Sequence, residues 1–148
     1  MASRFGIAEA NGVATGTSAK TLLQLIAAAN HAIKVIELSI GFHGTNNTHE
    51  PILVQLIRQT DAGTMSALTL RKADDSVSDS LDTTAQHTAT AEPTSGDIVR
   101  SWTVHPQTGL TIQAHDLAPI IVGAGDRIGL VVTAANSVNA DAYLCFEE

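Results

Sequence analysis

A chain of 148 residues with 44% hydrophobic and 16% charged side chains is globular, with length for one domain. Its net charge of −7, with eight scattered lysines and arginines, excludes nucleic acid and anionic membranes as expected partners, since both demand clustered cations. A single cysteine, Cys145, excludes an internal disulfide framework and a cysteine zinc knuckle.

Residues 1–19 are small and polar, and only Phe5, Ile7 and Val13 could anchor them. A segment with so little to bury does not order itself. It reads as an N-terminal arm, flexible or laid against a neighbouring chain, and it lacks the apolar centre of a signal peptide. The longest apolar stretch, residues 22–29, is far short of the ~20 residues that span a bilayer. A soluble protein made in a reducing cytosol is expected.

From Lys20 the pattern changes. KTLLQLIAAA (20–29) fits a helical face or a short buried strand, and its Thr21 and β-rich surroundings tip the reading to strand. IKVIELSIGF (33–42) has period-two spacing and β-branched residues, which predicts a strand with one buried face. After the loop HGTNNTHEP, ILVQLIRQ (52–59) alternates again. A turn at Asp61–Gly63 leads to a predicted strand over Met65–Lys72.

Residues 73–97 carry Ser, Thr, Asp and Ala with few apolar anchors, and read as a long surface excursion with room for one short edge strand at Thr83–Thr90. IVRSWTVH (98–105) is a clear strand, Pro106–Gly109 a turn, and 110–114 a further strand. The chain closes with PIIVGAGDRIGLVVTAANSVNADAYLCFEE (119–148): strand, Gly-Ala-Gly-Asp turn, strand, Asn-rich loop, terminal strand. About eight or nine strands, spaced roughly every ten residues with no long helix, predict an all-β antiparallel jelly roll or β-sandwich. The domain spans 20–148 behind the arm 1–19.

Catalytic groups do not converge in this pattern. His43, His49 and Glu50 bracket one loop, and a metal site needs further ligands from fixed elements. The two-histidine, one-glutamate strand of cupin enzymes is missing, and these residues read as exposed loop side chains. Asp74, Asp75, Asp79 and Asp82 lack the glycine and terminal glutamate of a calcium loop. There is no Gly-x-Ser-x-Gly elbow, and Cys145, in an apolar strand, reads as an inert buried thiol. Gly123-Ala-Gly125 lacks the lysine and helix of a phosphate loop and reads as a turn. Trp102 and Tyr143 lie in predicted strands and read as core rather than as sugar-stacking platforms. No cofactor or metal is expected. The polar strand faces carry Thr, Ser, Ala and Gln with few charges, which suits flat protein–protein contact.

With the arm 1–19, the strand series from Lys20 and the ending GAGDRIGLVV…NADAYLCFEE (123–148) in view, the chain resembles the small jelly-roll virion proteins of tailed bacteriophages. It is most similar in pattern to their capsid decoration, or cement, proteins; the Gly-Asp-Arg-Ile turn and strand also resemble tumour-necrosis-factor-like trimeric barrels. The resemblance implies a non-enzymatic protein at the capsid surface, synthesised in the host cytoplasm, forming homotrimers that bind the major capsid protein. Phe5, Ile7 and Val13 are then the expected contacts of the arm, and deletion of residues 2–16 is expected to leave the barrel folded while abolishing capsid attachment. A second reading is a trimeric receptor- or glycan-binding head that uses the loops 43–50 and 73–97. A third is a cupin-like metalloenzyme built on His43, His49 and Glu50.

Overall fold

The computed structural model describes residues 4–44, 50–76, 78–113 and 120–148. Within them, strands run in the order β1 (Phe5–Ala14), β2 (Lys20–Ile26), β3 (Ile33–His43), β4 (Ile52–Gln59), β5 (Thr64–Leu68), β6 (Arg71–Lys72), β7 (Thr84–Ala91), β8 (Ser95–Val104), β9 (Leu110–Gln113), β10 (Ile120–Val122), β11 (Arg127–Thr133) and β12 (Asn139–Glu147). They form two antiparallel sheets of a β-sandwich. Sheet A has the order β10-β3-β12-β1-β6, with β9 beside β10 on the same edge of β3; sheet B has the order β5-β7-β2-β11-β4-β8. Twelve strand segments among the described residues exceed the eight or nine expected, because Met65–Lys72 is divided in two, the short strand of the excursion forms, and β1 was not anticipated.

The pairing is nested. β1 lies against β12, β2 against β11, β3 against β9 and β10, and β4 against β8, all antiparallel. Alternation along each strand sends one set of side chains between the sheets. Leu38, Ile40, Leu144 and Phe146 of sheet A meet Leu22, Leu25, Ile52, Leu56, Ile128 and Leu130 of sheet B, each with about 2% exposure or less. Each large side chain so buried contributes roughly 1.5–3 kcal/mol by removal from water.

Residues 5–14 are not an arm. They form β1, an interior strand of sheet A that pairs with β12 on one side and β6 on the other. The boundary between arm and domain therefore dissolves. The reason lies in the partner strand. Gly6, Ala8 and Ala10 point inward, and Phe146 of β12 fills the space over Gly6. Small residues are what that layer requires.

Two other strands depart from the expectation. The predicted strand Met65–Lys72 is split: β5 joins sheet B and β6 joins sheet A, so the chain changes sheets near Thr69 and Leu70. The excursion 73–97 contains β7, which sits between β5 and β2 rather than at an edge, with Ala85 and Ala89 as its buried members. The C-terminal strand–turn–strand–loop–strand pattern stands as read, with Gly125 at φ 77° in the turn and its amide donating to Ala28 O (3.0 Å).

Candidate functional site

The outer face of sheet A collects the unusual side chains. Register sets Ile7 beside Cys145 and Glu37 in one row, and Glu9 beside Tyr143, Ser39 and Thr111 in the next. Phe5 and Ile7 are half-buried members of this face, on the side of β1 opposite the core. Val13 differs: it is 6% exposed and belongs to the core, so it is not available as a contact residue.

A groove of about 410 Å³ runs along this face between β1, β12 and the turn 106–109. Its floor opens at Gly41, where a Cβ would meet nothing. Glu9, Asp141 and Tyr143 line one side, and the Ser39 and Thr111 hydroxyls are bonded to each other (3.2 Å). Gly109 (φ 65°) brings the turn against the backbone of Ile40, where a side chain would collide.

The acidic groups of the groove are held in place. Asp141 accepts from the Gly12 amide (2.8 Å) and meets His43 Nδ1 (2.8 Å). Glu9 accepts from Asn11 Nδ2 (3.0 Å) and pairs with Arg71. The Asn11 hydrogen bond is the main influence holding the Glu9 carboxyl below its ordinary value; desolvation opposes it and Arg71 adds to it. Tyr143 is pushed up to about 12, chiefly by desolvation and then by Cys145 and Glu37, so it remains a neutral phenol. Burial likewise raises the Cys145 thiol, which is buried and unreactive in kind.

These placements revise the sequence reading. Tyr143 lies on the outer face and lines the groove instead of entering the core, whereas Trp102 packs, partly buried, against the core as expected. His43 is paired with Asp141, and His49 lies outside the described residues. Glu50 is exposed. Asp74 accepts from the Ser76 amide (2.9 Å) and hydroxyl (2.5 Å), a local turn bond, while Asp82 turns instead to Arg4 (2.9 Å). The groove was invisible in sequence because its lining comes from β1, β3, β9 and β12, which are far apart along the chain.

The groove presents hydroxyls, carboxylates, an aromatic edge and exposed backbone, a set suited to hydrogen-bonded recognition of a polar ligand. No family model, curated protein or solved structure matches this chain.

Proposed function

We propose that the chain is a non-enzymatic virion structural protein, a jelly-roll subunit that forms homotrimers and decorates a phage capsid by binding its major capsid protein. The nested pairing of β1 with β12, β2 with β11, β3 with β9 and β10, and β4 with β8 supports the jelly-roll assignment. One observation carries the assembly reading: Phe5 beside Glu147 and Ile7 beside Cys145 are half-buried on the outer face of sheet A, away from the core. Self-association through this face would bury them.

Decoration then works by linkage. A trimer that binds only the assembled shell stabilises that shell in proportion to its differential affinity. Three attachment points on one particle turn a modest contact into a lasting one. The contact role of the former arm passes to the sheet surface, with Phe5 and Ile7 retained and Val13 released to the core.

The groove favours one alternative, a glycan-binding head module, because Tyr143, Asp141 and the Ser39–Thr111 pair provide an aromatic edge beside polar groups. Light scattering of the full-length protein distinguishes the readings. A trimer that Ile7→Glu converts to a folded monomer, together with binding to capsids, supports decoration. A wild-type monomer that neither binds capsids nor protects them from heat overturns it. Retained glycan affinity in the monomeric variant would favour the head module.

A further inference from the structure

Arg4 and Glu148 meet at a cluster that the assembly reading leaves unused. Arg4 and Glu148 exchange backbone hydrogen bonds (Arg4 N to Glu148 O 3.1 Å; Glu148 N to Arg4 O 2.8 Å). The Glu148 side chain has no exposed surface. Its carboxylate is aimed by the Asp82 and Thr83 amides (2.9 and 3.0 Å), the Thr83 hydroxyl (2.6 Å) and Arg4 Nε (3.2 Å). His31, in the connection between β2 and β3, points its Nε2 at the same place.

That nitrogen is the anomaly. His31 Nε2 has no solvent contact and no hydrogen-bond partner. It stands 3.6 Å from Glu148 Oε2 and 3.9 Å from Asp82 Oδ2, too far to bond either. An orphaned buried nitrogen is costly unless something binds it. The His31, Asp82 and Glu148 donor atoms all lie within 4.8 Å of one another.

We propose that His31, Asp82 and Glu148 bind a first-row divalent cation, zinc by preference. Zinc bonds of about 2.0–2.1 Å to tetrahedral ligands put those ligands roughly 3.3 Å apart. A contraction of a few tenths of an ångström brings His31 Nε2 to that distance from both carboxylates. One imidazole and two carboxylates suit a borderline ion; calcium and magnesium prefer all-oxygen shells. Asp82 is half-exposed, which leaves the fourth position open to water.

Charge fits as well. Arg4 balances one of the two carboxylates, so with a neutral imidazole the cluster keeps one uncompensated negative charge around a buried oxygen. Arg4 and Thr83 act as outer partners that orient the ligands. The guanidinium also repels the cation, which makes the site weaker than a closed four-ligand structural zinc site. Its effect is to fasten Arg4 and Glu148 to the segment before β7.

Titration of the full-length protein with zinc chloride, followed by calorimetry, tests the site. The expected result is one zinc per chain, at least about tenfold weaker binding in His31→Gln, and unchanged binding in His43→Gln. His31→Gln should fold, because His31 Nε2 bonds nothing in the native chain. Zinc should raise the melting temperature of the wild type and not that of His31→Gln. Equal zinc affinity in wild type and His31→Gln, no binding by the wild type, preference for calcium, or loss of binding only in His43→Gln would each overturn the assignment.

Discussion

Gln24 of β2 donates a hydrogen bond to Gln59 of β4 (2.8 Å) across the strand between them, over the bare backbone of Gly129 in β11. Both side chains are buried although they lie on the outer face of sheet B. The network continues from Gln59 Nε2 to Thr21 Oγ1 (3.0 Å), from Thr21 Oγ1 to Glu92 (2.8 Å), from Arg127 Nη1 to Gln24 Oε1 (3.0 Å), and from Gln24 Nε2 to Asp61 O (2.9 Å). It fastens the turns at 60–63 and 92–94 onto the sheet, with Asp61 accepting from the Thr94 amide (3.0 Å) and hydroxyl (2.6 Å).

Gly129→Ala should therefore destabilise the protein. A Cβ at 129 would overlap the Gln59 amide, which must then leave Gln24 and Thr21 behind. Loss of buried hydrogen bonds costs about 1–3 kcal/mol, against the gain of about 0.4–1 kcal/mol that Gly→Ala brings through the unfolded chain. Urea unfolding of Gly129→Ala, Gln59→Ala and the double variant measures the coupling. The added alanine should cost less once Gln59 is gone. Additive effects would mean that the glycine is unrelated to the network.

Gly6 makes a similar demand inside the core. It pairs in register with Phe146, whose ring lies where a Gly6 side chain would stand. Phe146 has no exposed surface. Gly6→Ala should cost about 1–3 kcal/mol by overpacking. The measurement is the denaturation midpoint, and an unchanged midpoint would show that the ring moves freely.

That glycine explains how much of the fold was legible in the sequence. Strands whose own side chains fill the core announce themselves: β4 runs Ile52–Gln59 as its alternation predicts, and β3 and β11 carry the same signal. Strands whose partners fill the core do not. β1 sets Gly6, Ala8 and Ala10 against the sandwich, and β7 sets Ala85 there, so both resemble loose chain in composition. Phe5 and Ile7 could be singled out as apolar residues without a local core, and they do lie outside it. The groove over Gly41 and the His31 cluster were hidden because each is assembled from residues more than 50 positions apart, such as His31 with Asp82 and Gly41 with Asp141.

The place of β1 inside sheet A reverses one expectation. Removing residues 2–16 strips a strand from between β12 and β6, uncovers the backbone of β12, and withdraws Ala8 and Val13 from the core. The truncated chain should show no cooperative thermal transition by circular dichroism, where a dispensable arm would leave the wild-type melting temperature intact. Loss of attachment by that truncation would thus report on folding. Ile7→Glu is the cleaner probe of the outer face, since its side chain lies opposite the core.

Glu148 gives the fold a defined acid sensitivity. Burial pushes its carboxyl up, but the Thr83 hydroxyl, the Asp82 and Thr83 amides and Arg4 together outweigh burial and hold it below the ordinary 4.5. A carboxyl with a depressed native pKa contributes stability that is present above its unfolded value and lost as pH falls through its native value. Wild-type stability should therefore drop as pH descends below about 4.5. Glu148→Gln, which keeps the shape and removes the charge, should be less stable at pH 7 by about 1–3 kcal/mol. Its deficit should shrink steadily in acid, because the wild-type carboxyl becomes neutral there too. Urea midpoints of the two proteins in metal-free buffer from pH 7 down to about pH 3 test this, since that range brackets the titration of an ordinary glutamate. Parallel curves across that range would show that the carboxylate charge does not hold Asp82, Thr83 and Arg4 together.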